Sequence, residues 1–362
     1  MKIGILTFHN ADNYGALLQC YALQETLKTL CPCAEVCVID YRNKNIENSY
    51  RVIYNRKNVV KNMAQFLYAP VVSKKRKAFK NFRKRFLNLS SCGFDSYDII
   101  FYGSDQIWNT TITDGDLVFF GKNFAAKKIA YAASDGGELV ITGSIKSLLL
   151  QFDKISVREK SLAQKFLAKL KFSDIQTVCD PVFLLPKEKW LTFAKLPSEK
   201  GYVLAYKIAD VSDFDAQVES FAAKIKKPVI QIVYLKSLKK LFYKKQKFAQ
   251  ALSPNEFAGY FINADFVITT SFHGTAFSIL FEKPFYVLAF ENRNERILNL
   301  LETFKLKSNW ISSVEKIDVT KNISNARSTK LQNADYVLHS KKFIEDALKN
   351  TPSKANNFTE PK

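Results

Sequence analysis

Two Rossmann-like α/β domains facing one another across a cleft are predicted by three observations. Short apolar runs alternate with segments of helical period along nearly the whole chain, the pattern of parallel strands covered by helices on both faces. The alternation pauses at the proline-punctuated stretch "LLPKEKWLTFAKLPSEKG" and then restarts near residue 200. At 362 residues the chain is too long for one ordinary core and suits two. The expected division is 1–185, carrying a basic helical insertion near 51–90, then 186–350, with a frayed tail at 351–362.

The elements follow in order. "KIGILTF" reads as a first strand, "GALLQCYALQETLKTL" as a helix and "EVCVIDY" as a second strand. After the basic insertion come the strands "YDIIFYG", "KKIAYAAS", "KISVRE" and "IQTVCDP", with helices "SIKSLLLQF" and "REKSLAQKFLAKL" between some of them. The second series runs "GYVLAYKI", a helix around "FDAQVESFAAKI", "PVIQIVYL", a helix near "PNEFAGYFINA", strand "DFVITT", helix "TAFSILFEK" and strand "PFYVLAF". "SKKFIEDALKN" is a last helix. The N-terminal "MKIGILTFHN" has no small-residue cleavage site and no apolar run reaches the ~20 residues of a membrane span, so a cytoplasmic protein is expected.

The formal charge of +20 is concentrated. Residues 51–87 hold twelve Lys or Arg and residues 224–247 hold nine, neither stretch with an acid; the remaining thirty-three basic residues balance thirty-four acidic ones. In "KKRKAFKNFRKRFL", Phe79, Phe82 and Phe86 share one helical face beneath a basic crown. Such a helix either rests on an anionic membrane surface or packs its aromatic face inward with its lysines solvated. Nucleic acid is not expected as a partner, since no helix-turn-helix, zinc-finger or RNP-type signature is present. Cys20, Cys31, Cys33 and Cys37 crowd together at a spacing that fits no common zinc pattern, and no metal or cofactor is expected.

"TTSFHGTAFSIL" places His273 between a strand and a helix expected to start near Thr275. A helix start offers unpaired N–H groups to an anion, Gly274 permits close approach, and Ser271 and Thr275 add hydroxyls. His273 then has the titration range for acid or base work; the structural alternative is a ring that simply bonds a backbone carbonyl. Other strand ends carry similar chemistry: Asn13 and Gly15 in "FHNADNYGA", Ser104, Asp105 and Gln106 in "FYGSDQIWN", Arg158 in "SVREK" and Asp180 in "VCDP". Sites in such sheets gather at the carboxyl ends of strands.

The stretches "DNYGALLQCYALQ", "GSDQIWN", "YAAS", "SVREK", "CDPVFLL" and "TTSFHGTAFSILFEKPF", in this order, strongly resemble the polysaccharide pyruvyl transferase family from residue 1 to about 305. The resemblance implies a GT-B-like architecture and transfer of pyruvate from phosphoenolpyruvate to a pair of sugar hydroxyls as a ketal. It places the family's histidine on His273 and its arginine on Arg158; Asp135 stands where the resemblance implies an aromatic residue. On this reading His273 and Asp105 are catalytic, while Arg158, Ser271, Gly274 and Thr275 hold the donor. Asn13, Gly15, Ser104 and Gln106 are left to the acceptor, a nucleotide- or lipid-linked saccharide. A lipid-linked acceptor would place the enzyme on the inner leaflet, with the basic helix against the membrane. Trp108 is either a sugar-stacking ring or a core residue. A GT-B-type glycosyltransferase using a nucleotide sugar is the alternative activity.

Overall fold

A computed structural model describes residues 1–49, 59–122, 125–170, 174–209, 211–234, 246–290, 294–317 and 335–349. The first domain is built on a seven-stranded parallel sheet: β1 (Lys2–Leu6), β2 (Glu35–Ile39), β3 (Leu89–Ser90), β4 (Ile99–Tyr102), β5 (Lys127–Ala133), β6 (Lys154–Val157) and β7 (Ile175–Thr177). Its spatial order is β3-β2-β1-β4-β5-β6-β7. The second sheet holds β8 (Tyr202–Tyr206), β9 (Val229–Ile232), β10 (Gln246–Ala249), β11 (Ala264–Thr269), β12 (Phe285–Leu288) and β13 (Trp310–Ile311), in the order β10-β9-β8-β11-β12-β13. All described pairings are parallel. Central strands such as β4 and β12 are buried at every position, as helices on both faces require.

Both sheets reverse their winding once, between β1 and β4 in the first and between β8 and β11 in the second. Loops leaving such a reversal diverge to opposite faces and open a crevice at the carboxyl ends of the strands. In the first sheet that crevice is flanked by Thr7–Asn13 and Gly103–Gln106, tied together where the Thr7 hydroxyl donates to the Ser104 carbonyl at 2.8 Å. In the second, Thr270 closes the crevice floor, its hydroxyl accepting from the Ile208 and Ala209 N–H groups.

The domains share one apolar core at their base. Tyr14 of the first domain stacks on Phe257 of the second at 4.5 Å between ring centroids, and Trp190 meets both Tyr21 and Phe277 edge-on. Trp190 lies in the proline-punctuated segment expected to be a plain linker; that segment instead forms the helix Lys187–Phe193, held by this buried indole. The helix at 335–349, expected with the second domain, packs on the first. Ser340 accepts from the Cys179 N–H, Phe343 lies against Tyr131, and Lys127 donates to the Ala347 carbonyl. Helical periodicity announces an apolar face but not its partner.

The basic insertion is a helix over Val59–Phe86; residues 50–58, and the expected tail at 351–362, lie outside the described residues. Phe79 and Phe82 are buried, and Phe82 and Phe86 pack with Tyr21 and Phe193. The aromatic face therefore belongs to the core, and only the cationic face meets solvent. Among the described residues no helix is long and apolar enough to cross a membrane.

Candidate active site

The second sheet's reversal delivers His273. The helix after β11 spans Phe272–Leu280 with Ser271 as its N-cap, so it starts three residues before the expected Thr275. The cap explains the shift: the Ser271 hydroxyl accepts from the Gly274 N–H at 3.2 Å, and the Thr275 hydroxyl donates to the Ser271 carbonyl at 2.9 Å. Both side chains are buried, and their hydroxyls serve the helix start rather than facing outward. Gly274 is required by packing, because a Cβ there would collide with the Thr269 side chain. The anion-facing resource of this turn is thus its backbone, whose leading N–H groups have no acceptor within the helix.

The His273 ring crosses to the first domain. It lies on Gly15, where an added Cβ would overlap the imidazole, and its Nε2 comes within 3.7 Å of Asp180 Oδ2. Nε2 is buried with no hydrogen-bond partner. Burial lowers the pKa of His273, and the guanidinium groups of Arg158 and Arg296 add to that; Asp180 and Asp105 pull the other way without prevailing. The resting ring is therefore biased to its neutral form.

Asp180 is the hub. It caps the turn Pro181–Phe183, its Oδ1 accepting from the Val182 N–H, while Oδ2 accepts from Arg158 Nη1 at 2.7 Å. Arg158, just past β6, is itself buried and lies over the Phe272 ring, 4.6 Å from its centroid. Its Nη2 stands 3.9 Å from Asp105 Oδ1 and its Nε 3.9 Å from Glu159 Oε1, too far for hydrogen bonds, and both nitrogens are unpartnered. Burial alone would lower the Arg158 pKa; Asp180, Glu159 and Asp105 together overcome it and hold the guanidinium charged.

Asp105 reaches the cluster from the loop after β4 with φ 78°, a left-handed conformation uncommon for a residue with a side chain. The Ser134 N–H donates to its carbonyl and its Oδ1 accepts from the Gln106 N–H. Strain of this kind persists where surrounding bonds over-determine it.

Two participants escaped the sequence reading. Glu159, 1% exposed, receives the Ser134 hydroxyl on Oε1 and leaves Oε2 without a partner. Burial raises its pKa, against the pull of Arg158 and Arg296. Arg296, from the helix Glu295–Thr303, also lies against the Phe272 ring, 5.8 Å from its centroid; burial and the like charge of Arg158 lower its pKa. Glu159 sits inside the quoted "SVREK" and could have been found as an acid beside a strand-end arginine. Arg296 gave no signal, being one polar position on an amphipathic helix.

The residues expected at the acceptor divide. Asn13 and Gln106, with Asp105, line a cavity of about 550 Å³ above the β1–β4 reversal, although the Asn13 side chain also caps the helix Tyr14–Leu30. Gly15 lies behind the His273 ring, and Ser104 is fully buried with its hydroxyl donating to the Ala132 carbonyl. Trp108 is fully buried as well, its indole N–H donating to the Phe119 carbonyl, so it belongs to the core. Among the described residues no three His, Cys, Asp or Glu side chains are placed to hold a metal ion.

The sequence model of the polysaccharide pyruvyl transferase family matches residues 13–292, a span that contains Asp105, Arg158, Asp180 and His273. The chain belongs to this family. As a polysaccharide pyruvyl transferase family member it is an enzyme of the transferase class, tied to polysaccharide biosynthesis. No curated protein matches the chain. Among solved structures, UDP-GlcNAc 2-epimerase from Neisseria meningitidis bound to UDP-GlcNAc aligns with a TM-score of 0.53 at 9% identity, over 96% of this chain and 99% of that one. The S. aureus MnaA–UDP co-structure aligns at 0.52 with 12% identity, over 98% and 100% of the two chains. The glycotransferase of kitacinnamycin aligns at 0.51 with 10% identity, over 96% and 98%. At these identities the likeness speaks for the fold alone, a GT-B-like pair of Rossmann-like domains. Within this family member Arg296 falls just beyond the matched segment.

Proposed function

We propose that this protein transfers the pyruvyl group of phosphoenolpyruvate to two hydroxyls of a saccharide, forming a ketal and releasing phosphate. One observation carries the reading: Arg158 of the first domain and His273 of the second meet at Asp180 with Arg158 Nε and Nη2 and His273 Nε2 buried and unpaired. Buried donors without acceptors are costly, and a carboxylate and phosphate arriving together would satisfy them. The planar guanidinium suits a bidentate oxyanion contact.

In this scheme a proton is delivered to the methylene carbon of the enol phosphate, generating an oxocarbenium-like centre at C2. One sugar hydroxyl adds there and loses its proton; phosphate departs; the second hydroxyl adds to the renewed cation and its proton leaves with the phosphate. The sum is enol phosphate plus diol giving ketal plus hydrogen phosphate. His273 is assigned the proton delivery and Asp105 the orientation of an attacking hydroxyl. The Phe272–Leu280 helix start and Arg158 hold the two anionic groups.

The acceptor is assigned as a nucleotide- or lipid-linked saccharide. A groove of about 780 Å³ beside the Val59–Phe86 helix, lined by that helix's Arg76, Lys80, Arg83 and Lys84 and by Arg42 against two acids, Asp12 and Glu47, supports contact with an anionic inner-leaflet surface, through net charge alone since the phenylalanines face inward. Sedimentation with anionic but not neutral vesicles, weakening as salt rises, is the expected result.

The donor assignment is tested by thermal unfolding with phosphoenolpyruvate, inorganic phosphate and nucleotide sugars. Protection by phosphoenolpyruvate is expected. Protection by nucleotide sugars with none from phosphoenolpyruvate would instead identify a glycosyltransferase.

A further inference from the structure

The two oxygens of Glu159 stand in different surroundings. The residue lies just past β6, ahead of the helix Lys160–Leu170, is 1% exposed, and lines a cavity of about 640 Å³ together with Gly136 and Arg296. Ser134, just past β5, accepts the Gly136 N–H on its hydroxyl oxygen at 3.3 Å and gives its own hydrogen to Glu159 Oε1. Oε1 is thereby fixed as an acceptor. Oε2 is buried and, among the described residues, has no partner.

An ionised oxygen buried without a donor is far costlier than a hydroxyl awaiting an acceptor. The charges around Glu159 divide: Arg158, whose Nε is 3.9 Å from Oε1, and Arg296 favour the carboxylate, as does the Ser134 hydroxyl, while Asp135 opposes it. Burial is the largest influence and prevails, raising the pKa. A neutral carboxyl has a single O–H, and with Oε1 accepting, that hydrogen belongs on Oε2.

Pyruvyl transfer needs a second proton in that neighbourhood. The second ionisation of a phosphate monoester lies at about pH 6, so phosphoenolpyruvate arrives at neutral pH with a doubly charged phosphate. Breaking the bond from C2 to its oxygen would then expel trianionic phosphate, a poor leaving group. The departing oxygen must gain a proton as the bond breaks. A neutral carboxyl can stand beside that phosphate and donate to it, where an ionised one would repel it.

We propose that Glu159 is the catalytic acid of phosphate departure, its Oε2–H donating to the phosphate oxygen that bridges to C2. The first hydroxyl has by then added, so breaking the C2–O bond releases hydrogen phosphate and leaves the second oxocarbenium-like cation. The second hydroxyl closes the ketal and returns its proton to Oε2; Glu159 ends as it began, and one hydroxyl proton has left with the phosphate. The assignment rests on the pyruvyl-transfer reading and divides its two proton deliveries, His273 serving carbon and Glu159 serving phosphate. It seats the donor's phosphate on the Glu159 side of Arg158.

Glu159→Gln keeps the size and the hydrogen bonds but has no proton to give up. Infrared difference spectra of wild type minus variant need no acceptor. They should show the carbonyl stretch of a neutral carboxylic acid at neutral pH, displaced when phosphoenolpyruvate is added. A missing band overturns the proposal, as does a band left unmoved by phosphoenolpyruvate that still protects the protein against thermal unfolding. With methyl hexosides as the diol, the variant should release phosphate about 10²–10⁴-fold more slowly, yet still exchange the donor's methylene protons for solvent deuterium, which precedes departure. The deficit should shrink below about pH 6, where the ester brings its own proton. A deficit equal at every pH, or exchange lost along with release, would reduce Glu159 to a structural role. Absence of thermal protection of the wild type by phosphoenolpyruvate would sink the donor reading itself.

Discussion

Replacing Gly15 by alanine tests whether the two half-sites are in register. A Cβ built at Gly15 falls nearer than 3.0 Å to Nδ1, Cγ and Cε1 of the His273 ring, where ordinary contact begins near 3.4 Å. The ring must therefore retreat by about 1 Å or more, or the domains must part. Overpacking of this kind costs about 1–3 kcal/mol, against which alanine returns up to about 1 kcal/mol of helix propensity over glycine. Gly15→Ala alone is then expected to destabilise by roughly 0–3 kcal/mol. Catalysis should suffer more, since a shift of about 1 Å in an acid–base group costs about a hundredfold in rate.

The double-mutant cycle with His273→Ala isolates the contact. With the imidazole gone the clash disappears, and Gly15→Ala should become neutral or stabilising by up to about 1 kcal/mol. Urea unfolding of the four proteins gives the coupling, and turnover of phosphoenolpyruvate gives the rate. An equal cost of Gly15→Ala in both backgrounds, or an unchanged kcat/KM in the single variant, would refute the docking of His273 on the first domain.

His273→Ala should retain its unfolding midpoint yet lose about 10²–10⁴-fold in kcat, the usual contribution of a positioned acid or base; near-normal turnover removes it from the mechanism. Asp180→Asn removes a charge that raises the His273 pKa, so the descending limb of the kcat/KM profile should move to lower pH, and Arg158 should lose its 2.7 Å anchor with a rise in donor KM. The His273 pKa lies below its ordinary value in the empty site and should rise when a multiply charged anion binds. Between those two values donor binding should take up a proton, measured as a buffer-dependent heat in calorimetry; a heat independent of buffer ionisation contradicts it. Trp108→Phe should lower stability by about 1–3 kcal/mol through the lost indole bond and volume while leaving the acceptor KM alone.

Ten strands were legible as apolar runs because both faces of a parallel sheet are buried. The three that were missed, β3, β10 and β13, are outermost strands of two to four residues, too short to show a period; β10 also reads "QKFA", polar as edges tend to be. Arg158 and His273 were legible because strand ends carry chemistry in such folds. What the strand ends did not reveal is which polar groups turn inward. Ser104, Ser271 and Thr275 were credited with hydroxyls that the structure commits to backbone carbonyls and caps, the same local bonding that makes these residue types common at turns. The phenylalanine stripe of the basic helix had two readings that periodicity alone does not separate; the packing of Phe79 and Phe82 decides for the core.

The charge balance of the centre argues for the kind of ligand it awaits. Arg158 and Arg296 stand against Asp105 and Asp180, and the two remaining groups both shift toward their neutral forms, Glu159 upward and His273 downward. These opposed shifts lessen the charge that the buried groups must share. A dianion entering such a site is not met by surplus positive charge. It is accommodated by protonation, since its field raises the His273 pKa and places a proton on the ring at the moment the ligand arrives. A substrate that carries its own negative charge and then needs a proton on carbon fits that sequence of events, because the binding step itself charges the acid that the chemical step discharges.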